Sequence, residues 1–325
     1  MRSRRAICVS RDGGLRRVIE ATLAAAGIAV EHVDGIPETA GDAALVLVDR
    51  ATREAAGAAL GAIAAPVVIV GDDLDDDALI ATMLEAPVSH LVEDPHDRDL
   101  GITSEKIVSG DLFGVEKYLA RGTRITERVI ASDTDKRHAL GAITAWADAL
   151  ARKPIVHRLA NVADELMMNA LYDTPGAPGP SPSRGDRWRS AAEQGSQSPY
   201  GEGPAEGSRG DRWRPTDRRA ELRWGADEHV LALSVSDRFG ALRQRDVIDH
   251  VRRARNERGR PRPETHAQRG AGLGLYLVLA NVASLVINVE AGKRTEVVCL
   301  FDRARAGHPA VTCVRSLHVF QAAAS

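Results

Sequence analysis

The chain has 325 residues and a mass of 34.8 kDa, room for two domains at about 150 residues each. A hydrophobic fraction of 44% beside 27% charged residues excludes global disorder, collagen and a disulfide scaffold. Lys and Arg number 43 against 45 Asp and Glu, so no overall positive charge argues for a nucleic-acid partner.

In chain order, the first 100 residues alternate short apolar runs with helical patterns. Residues 5–10 predict a strand, and residues 14–27 a helix with Leu15, Val18, Ile19, Leu23 and Ala26 on one face. Residues 29–33, 43–49, 66–70 and 89–92 predict strands, and 53–64 and 78–84 helices. Unbroken apolar runs such as 43–49 fit strands buried on both faces, and the alternation fits a parallel sheet with helices on both sides. Residues 102–172 are mostly helical, with long patterns over 132–151 and 156–172. Leu159, Val162, Ala163, Leu166 and Ala170 form one stripe of the latter.

Residues 173–217 are rich in Gly, Pro, Ser and Arg and carry almost no aliphatics, the composition of a disordered insertion. A seven-residue unit recurs there, Ser183 to Arg189 and Ser208 to Arg214, and reads as a duplicated low-complexity element. Residues 220–224 and 229–237 predict a hairpin, and 285–290 and 296–301 a second pair of strands. Between the pairs, residues 241–269 carry nine Arg against four acids. Cys8, Cys299 and Cys313, odd in number and set in apolar runs, read as reduced core thiols. The apolar stretch 6–9 is short for a signal peptide, and residues 275–289 are broken by Asn281, Ser284 and Asn288. The expectation is a cytoplasmic protein with no membrane partner.

Three segments carry chemistry. Glu165 and Asn169 lie four apart, on one helix face beside the apolar Leu166 and Ala170. A carboxylate there can deprotonate a nucleophile, and a carboxamide oxygen suits Mg²⁺. Asp237 closes an apolar strand before Arg238-Phe239-Gly240, where it can accept a hydrogen bond from an exocyclic amine. Gly270, Gly272 and Gly274, with Leu273 among them, open a helix and offer backbone N–H groups to an anion. The run has some likeness to a dinucleotide fingerprint, but an Arg-rich loop precedes it where that fingerprint needs a strand.

Together these segments resemble the GHKL ATPase superfamily: histidine-kinase catalytic domains, type II topoisomerases, chaperones and anti-sigma serine kinases. Residues 165–170 resemble its N box, 235–240 its first glycine box and 270–275 its second, and Thr295 resembles the Thr beside the adenine-binding Asp. The resemblance spans about residues 130–302. It implies ATP and Mg²⁺ as cofactors, with Asn169 holding the metal and Glu165 as base. It also implies that Asp237 and Thr295 read adenine, that Gly270, Gly272 and Gly274 receive the phosphates, and that Gly240 and Leu273 belong to the nucleotide-binding set. Phe239 and Ala241 stand where the first box usually has Gly, and Asp173 where a basic residue is common.

Residues 1–100 resemble a receiver domain of response regulators, with Asp49 at the phospho-acceptor position. Ser10-Arg11-Asp12 replaces the usual acidic pair, Gly71 stands for the Ser or Thr, and Glu93 falls near the Lys position, so the receiver is degenerate. His138 lacks the acid and Pro of a histidine-kinase acceptor, and His157 reads as structural. The expected class is α/β: a doubly wound, receiver-like (flavodoxin-like) sheet over 1–100, a helical connector over 101–155, an α/β sandwich of the GHKL type over 156–302, and a tail over 303–325. The expected function is an ATP-binding signalling protein, as a serine/threonine kinase of the anti-sigma type, a non-catalytic scaffold or an atypical histidine kinase. The resemblance implies a regulatory protein as partner (an anti-sigma antagonist, a sigma factor or a receiver protein) and allows a homodimer.

Overall fold

The computed structural model describes residues 3–71, 76–85, 88–96, 98–173, 219–257, 273–303 and 316–322. The strands are β1 (Arg5–Val9), β2 (Ala29–Val33), β3 (Leu45–Asp49), β4 (Val67–Val70), β5 (Val88–Val92), β6 (Thr126–Ile130), β7 (Ala220–Ala226), β8 (Val230–Asp237), β9 (Ser284–Glu290), β10 (Arg294–Asp302) and β11 (Ser316–Gln321). The helices are α1 (Gly13–Ala25), α2 (Arg50–Ala56), α3 (Asp76–Leu84), α4 (Arg98–Ser109), α5 (Asp133–Asp148), α6 (Lys153–Met168), α7 (Gln244–Glu257) and α8 (Leu273–Leu279). The molecule is of the α/β class.

The eleven strands of the described residues join one sheet, in the order β2-β1-β3-β4-β5-β11-β9-β10-β8-β7-β6. The first five are parallel, as the alternating strand and helix patterns predict. From β9 to β6 every neighbouring pair is antiparallel. β11 joins the two regions, antiparallel to β5 and parallel to β9.

Two separate sheets followed by a tail were expected, and the structure instead has one continuous sheet. β5 and β9 each end a half-sheet with unpaired backbone groups. Unpaired groups of this kind are costly when buried, and one inserted strand satisfies both edges. The segment expected as a tail therefore supplies a central strand. The expected helical connector likewise contains β6, the edge strand beside β7.

Strand alternation sends side chains to two cores. On one face, Ile19 and Leu23 of α1, Leu100, Ile107 and Val108 of α4, and Leu112 to Leu119 pack on Cys8, Leu47, Val68, Val286 and Phe320. On the other, α3, α5, α6, α7 and α8 pack on Val9, Val48, Ile69, Leu233, Val235, Ile287 and Val319. The second core runs through both halves of the sheet without a break.

Candidate functional site

β8 ends at Asp237, which is buried. The register of β8 with β10 sets Thr295 directly opposite it. One Asp237 oxygen accepts the Phe239 backbone N–H at 2.8 Å. Burial pushes the Asp237 pKa above its ordinary value, and the N–H groups of Phe239 and Gly240 pull against that shift. The Thr295 hydroxyl lies near enough to bias the same titration downward, yet not in hydrogen-bonding geometry. Among the described residues it is a buried oxygen without a partner.

Gly240 fixes the exit from this strand. Its φ is +58°, a left-handed value that disfavours other residues. A Cβ there would overlap the Glu290 carbonyl and crowd the Gly292 amide, which itself donates to the Gly240 carbonyl at 3.2 Å. The exit loop of β8 is therefore pressed onto the β9–β10 turn.

α6 lies over this part of the sheet. It begins with Pro154 in its first turn, where a missing N–H costs nothing, and buries Ile155, Val156, Leu159, Val162, Ala163, Leu166 and Met167. Glu165 and Asn169 stay half-buried at its far end. Residues 169–173 continue the helix as a wide π turn, a feature that often accompanies functional sites. The Asn169 N–H reaches the carbonyls of Glu165 and Leu166. Both α6 and the π turn pack against β8.

α8 packs on α6, α7 and β9. Its second residue, Gly274, lies directly against the Glu165 side chain, and a Cβ at that position would overlap the carboxylate. The structure thus brings Glu165 together with Gly274, and Asp237 together with Thr295 and Gly240, while Asn169 sits where α6 passes β8. Leu273 opens α8. Gly270 and Gly272 lie outside the described residues, as do most of the 173–217 insertion with both heptad copies, Cys313 and residues 258–269 of the Arg-rich segment.

Asp49 closes β3 and accepts the Thr52 N–H at 2.6 Å, which caps the start of α2. Asp12 caps α1 through Gly14 and Leu15. Arg16 donates to the Ser10 carbonyl at 2.7 Å, to the Val33 carbonyl at 3.0 Å and to Asp34 at 2.5 Å. A fixed guanidinium therefore covers the ends of β1 and β2. His138 and His157 are exposed on α5 and α6. Among the described residues, no group of three or more His, Cys, Asp or Glu is placed to hold a metal.

Sequence reasoning missed Gln244, at the first position of α7. Its amide donates to the Met83 carbonyl at 3.0 Å and to the Val88 carbonyl. It ties the segment that follows Asp237 to the end of α3 and the start of β5. A Gln beside arginines carries no local signal for such a bond, because its partners lie 161 and 156 residues away.

No family model and no curated protein matches the sequence. Among solved structures, the chain is similar to one in "The crystal structure of SiaB-SiaC complex from Pseudomonas aeruginosa". That likeness has 14% identity and a TM-score of 0.32, over 55% of this chain and 90% of the other. Among the described residues, no helix is long and apolar enough to cross a membrane.

Proposed function

We propose that this chain is a signalling protein that binds Mg·ATP over the ends of β8 and β10, beneath α6 and α8. The observation that carries the reading is the orphaned Thr295 hydroxyl beside Asp237. A carboxyl oxygen accepts and a hydroxyl donates, so the pair complements the amine and ring nitrogen on adenine's edge. A buried hydroxyl without a partner costs stability, and a ligand that pairs with it recovers that loss. The bare Cα of Gly274 against Glu165 fits the close backbone approach that the glycine run implies.

The roles are those that the resemblance to the GHKL ATPases implies, and the side chains suit them. Asp237 and Thr295 hold the base, and Gly240 keeps their loop closed on the β9–β10 turn. Asn169 offers a hard oxygen to Mg²⁺, and Mg²⁺, when bound, offsets phosphate charge. Gly270, Gly272 and Gly274 offer backbone N–H groups to the phosphates, and Glu165 takes the proton from a Ser or Thr hydroxyl of a partner protein. The partner is a regulatory protein: an anti-sigma antagonist, a sigma factor or a receiver protein. The parallel order β2-β1-β3-β4-β5 supports a receiver-like N-terminal region. The capping role of Asp49 and the bonds of Arg16 support its being degenerate.

A second reading, an ATP-binding scaffold without transfer, is favoured by the packing of Glu165 against Gly274, which commits the side chain to a contact. Incubation with γ-labelled ATP, Mg²⁺ and co-purified partners separates the two. The kinase reading expects label on a partner and its loss in Glu165→Ala. Unlabelled partners and no released phosphate, with ATP still bound, would establish the scaffold. Absence of ATP binding would remove both.

A further inference from the structure

On the sheet face opposite α6, the seam between the two half-sheets is polar and buried. His90 of β5, Asp99, Thr103 and Lys106 of α4, Ser284 and Asn288 of β9, Glu296 of β10, and Ser316 and His318 of β11 are all buried. Asp99 meets the His318 Nε2 at 3.1 Å, and Thr103 approaches the same nitrogen at 3.5 Å. The Ser316 and Ser284 hydroxyls are 2.6 Å apart. Lys106 donates to the Tyr118 hydroxyl at 2.7 Å and to Asn288 at 2.8 Å, and lies 4.0 Å from the Phe320 ring centre. Asn288 donates to Glu296 at 3.0 Å, and the Gly114 N–H donates to the same carboxylate at 2.9 Å.

The network is not fully satisfied. Among the described residues, His90 Nδ1, Asp99 Oδ1, His318 Nδ1 and Glu296 Oε1 are buried without partners. The His90 ring packs on two rings of β11, 5.5 Å from His318 and 4.3 Å from Phe320. A half-satisfied buried network is a weak point in a fold. Among the described residues, β11 pairs with β5 and β9 alone. It can leave its slot without breaking any pairing inside either half-sheet.

We propose that β11 is a proton-released strand: acidification charges His90 beside Lys106 and His318, and β11 then withdraws from between β5 and β9. This inference stands apart from the nucleotide reading.

The titration of the seam acts in one direction. Burial, and then His318 and Lys106, hold His90 well below its ordinary pKa, so the open state takes up a proton that the closed state refuses. Closure therefore weakens as pH falls below the ordinary histidine value. Burial pulls Lys106 down to about 7, against the raising effects of Glu296 and Asp99 and with Lys117 and Asp111 also in reach. Its penalty is full below that pH and fades as pH rises toward the unfolded value. Asp99 is held below its ordinary value by His318, Ser316 and Lys106, although burial, its largest influence, raises it. Its stabilising share is lost as pH falls through that lowered value. Tyr118, raised by burial, acts only in strong base.

Hydrogen exchange of the full chain, corrected for intrinsic rates, tests the proposal at about pH 7.5 and about pH 5.5. The expected result is a roughly tenfold or larger loss of protection at Leu317 to Gln321 in acid, with β3 unchanged. His90→Phe should keep its protection at both values. Lys106→Met, which removes the neighbouring cation, should move the release to lower pH, and it serves if His90→Phe fails to fold. Unchanged β11 protection in the wild type would overturn the proposal. So would an equal loss in β3 and β11, or the same acid response in whichever variant folds.

Discussion

The Glu165 carboxylate occupies the space that a side chain at residue 274 would need. That contact joins α6 to the first turn of α8, and so joins the proposed base to the end of the glycine run. Gly274→Ala should destabilise by about 1–3 kcal/mol through overpacking. Denaturant titration should also show that adding Glu165→Ala relieves most of the loss. An additive double variant would mean that the two residues do not share this space.

Two glycines with similar backbone angles should behave differently. Gly240 and Gly292 have φ of +58° and +72°, but a Cβ on Gly240 would strike the Glu290 carbonyl whereas none on Gly292 would meet an atom within 4 Å. Gly292→Ala should cost only the backbone penalty of about 1–2 kcal/mol. Gly240→Ala should cost clearly more and also weaken nucleotide binding, since the loop it moves begins at Asp237. Equal stability losses in thermal melts would contradict the close contact.

Gln244 links the Asp237 loop to the N-terminal half by its bonds to the Met83 and Val88 carbonyls. Gln244→Ala should cost about 1–2 kcal/mol, as expected for lost hydrogen bonds at half-buried carbonyls. Exchange protection should fall at both α7 and the start of β5. A loss confined to α7 would show that the two halves are not coupled there.

Asp237 supplies a pH dependence of defined sign. Burial raises its pKa in the folded chain, so the folded protein keeps a proton that the unfolded chain has already released. Its share of stability is full below the unfolded pKa and is lost as pH rises through the raised value. Asp237→Asn removes that loss, so the variant should be more stable than the wild type at about pH 7, with the gap closing toward about pH 4. A variant less stable at neutral pH would show that the carboxylate is favourably paired. A gain in stability with a loss of binding is the usual mark of a functional residue.

Local pattern carried much of the architecture. The apolar runs around Val9, Val48 and Ile69 mark β1, β3 and β4 because strands buried on both faces need no alternation. The spacing of Leu159, Val162 and Leu166 marks α6, and with it the shared face of Glu165 and Asn169. Thr295 opposite Asp237 was accessible only through the family resemblance, since strand register is not written in either strand alone. β11 was hidden because Ser316 and His318 interrupt its apolar residues, and their burial is made tolerable by Ser284 and Asp99, far away in the chain. Lys106 gave little sign of burial for a similar reason: of its two hydrogen-bond partners, Asn288 lies 182 residues on. The contacts that join β11 and α4 to β9 belong to the meeting of the half-sheets, and no short window of sequence contains them.

The most direct measurement is a titration of the full chain with a fluorescent ATP analogue and Mg²⁺, for wild type, Asp237→Asn and Thr295→Val, with folding checked by thermal melts. The account predicts saturable binding by the wild type, competed by ATP, and affinity at least about tenfold weaker in both folded variants, the loss of roughly 1.4 kcal/mol. Equal binding by all three, or none by the wild type, would contradict it.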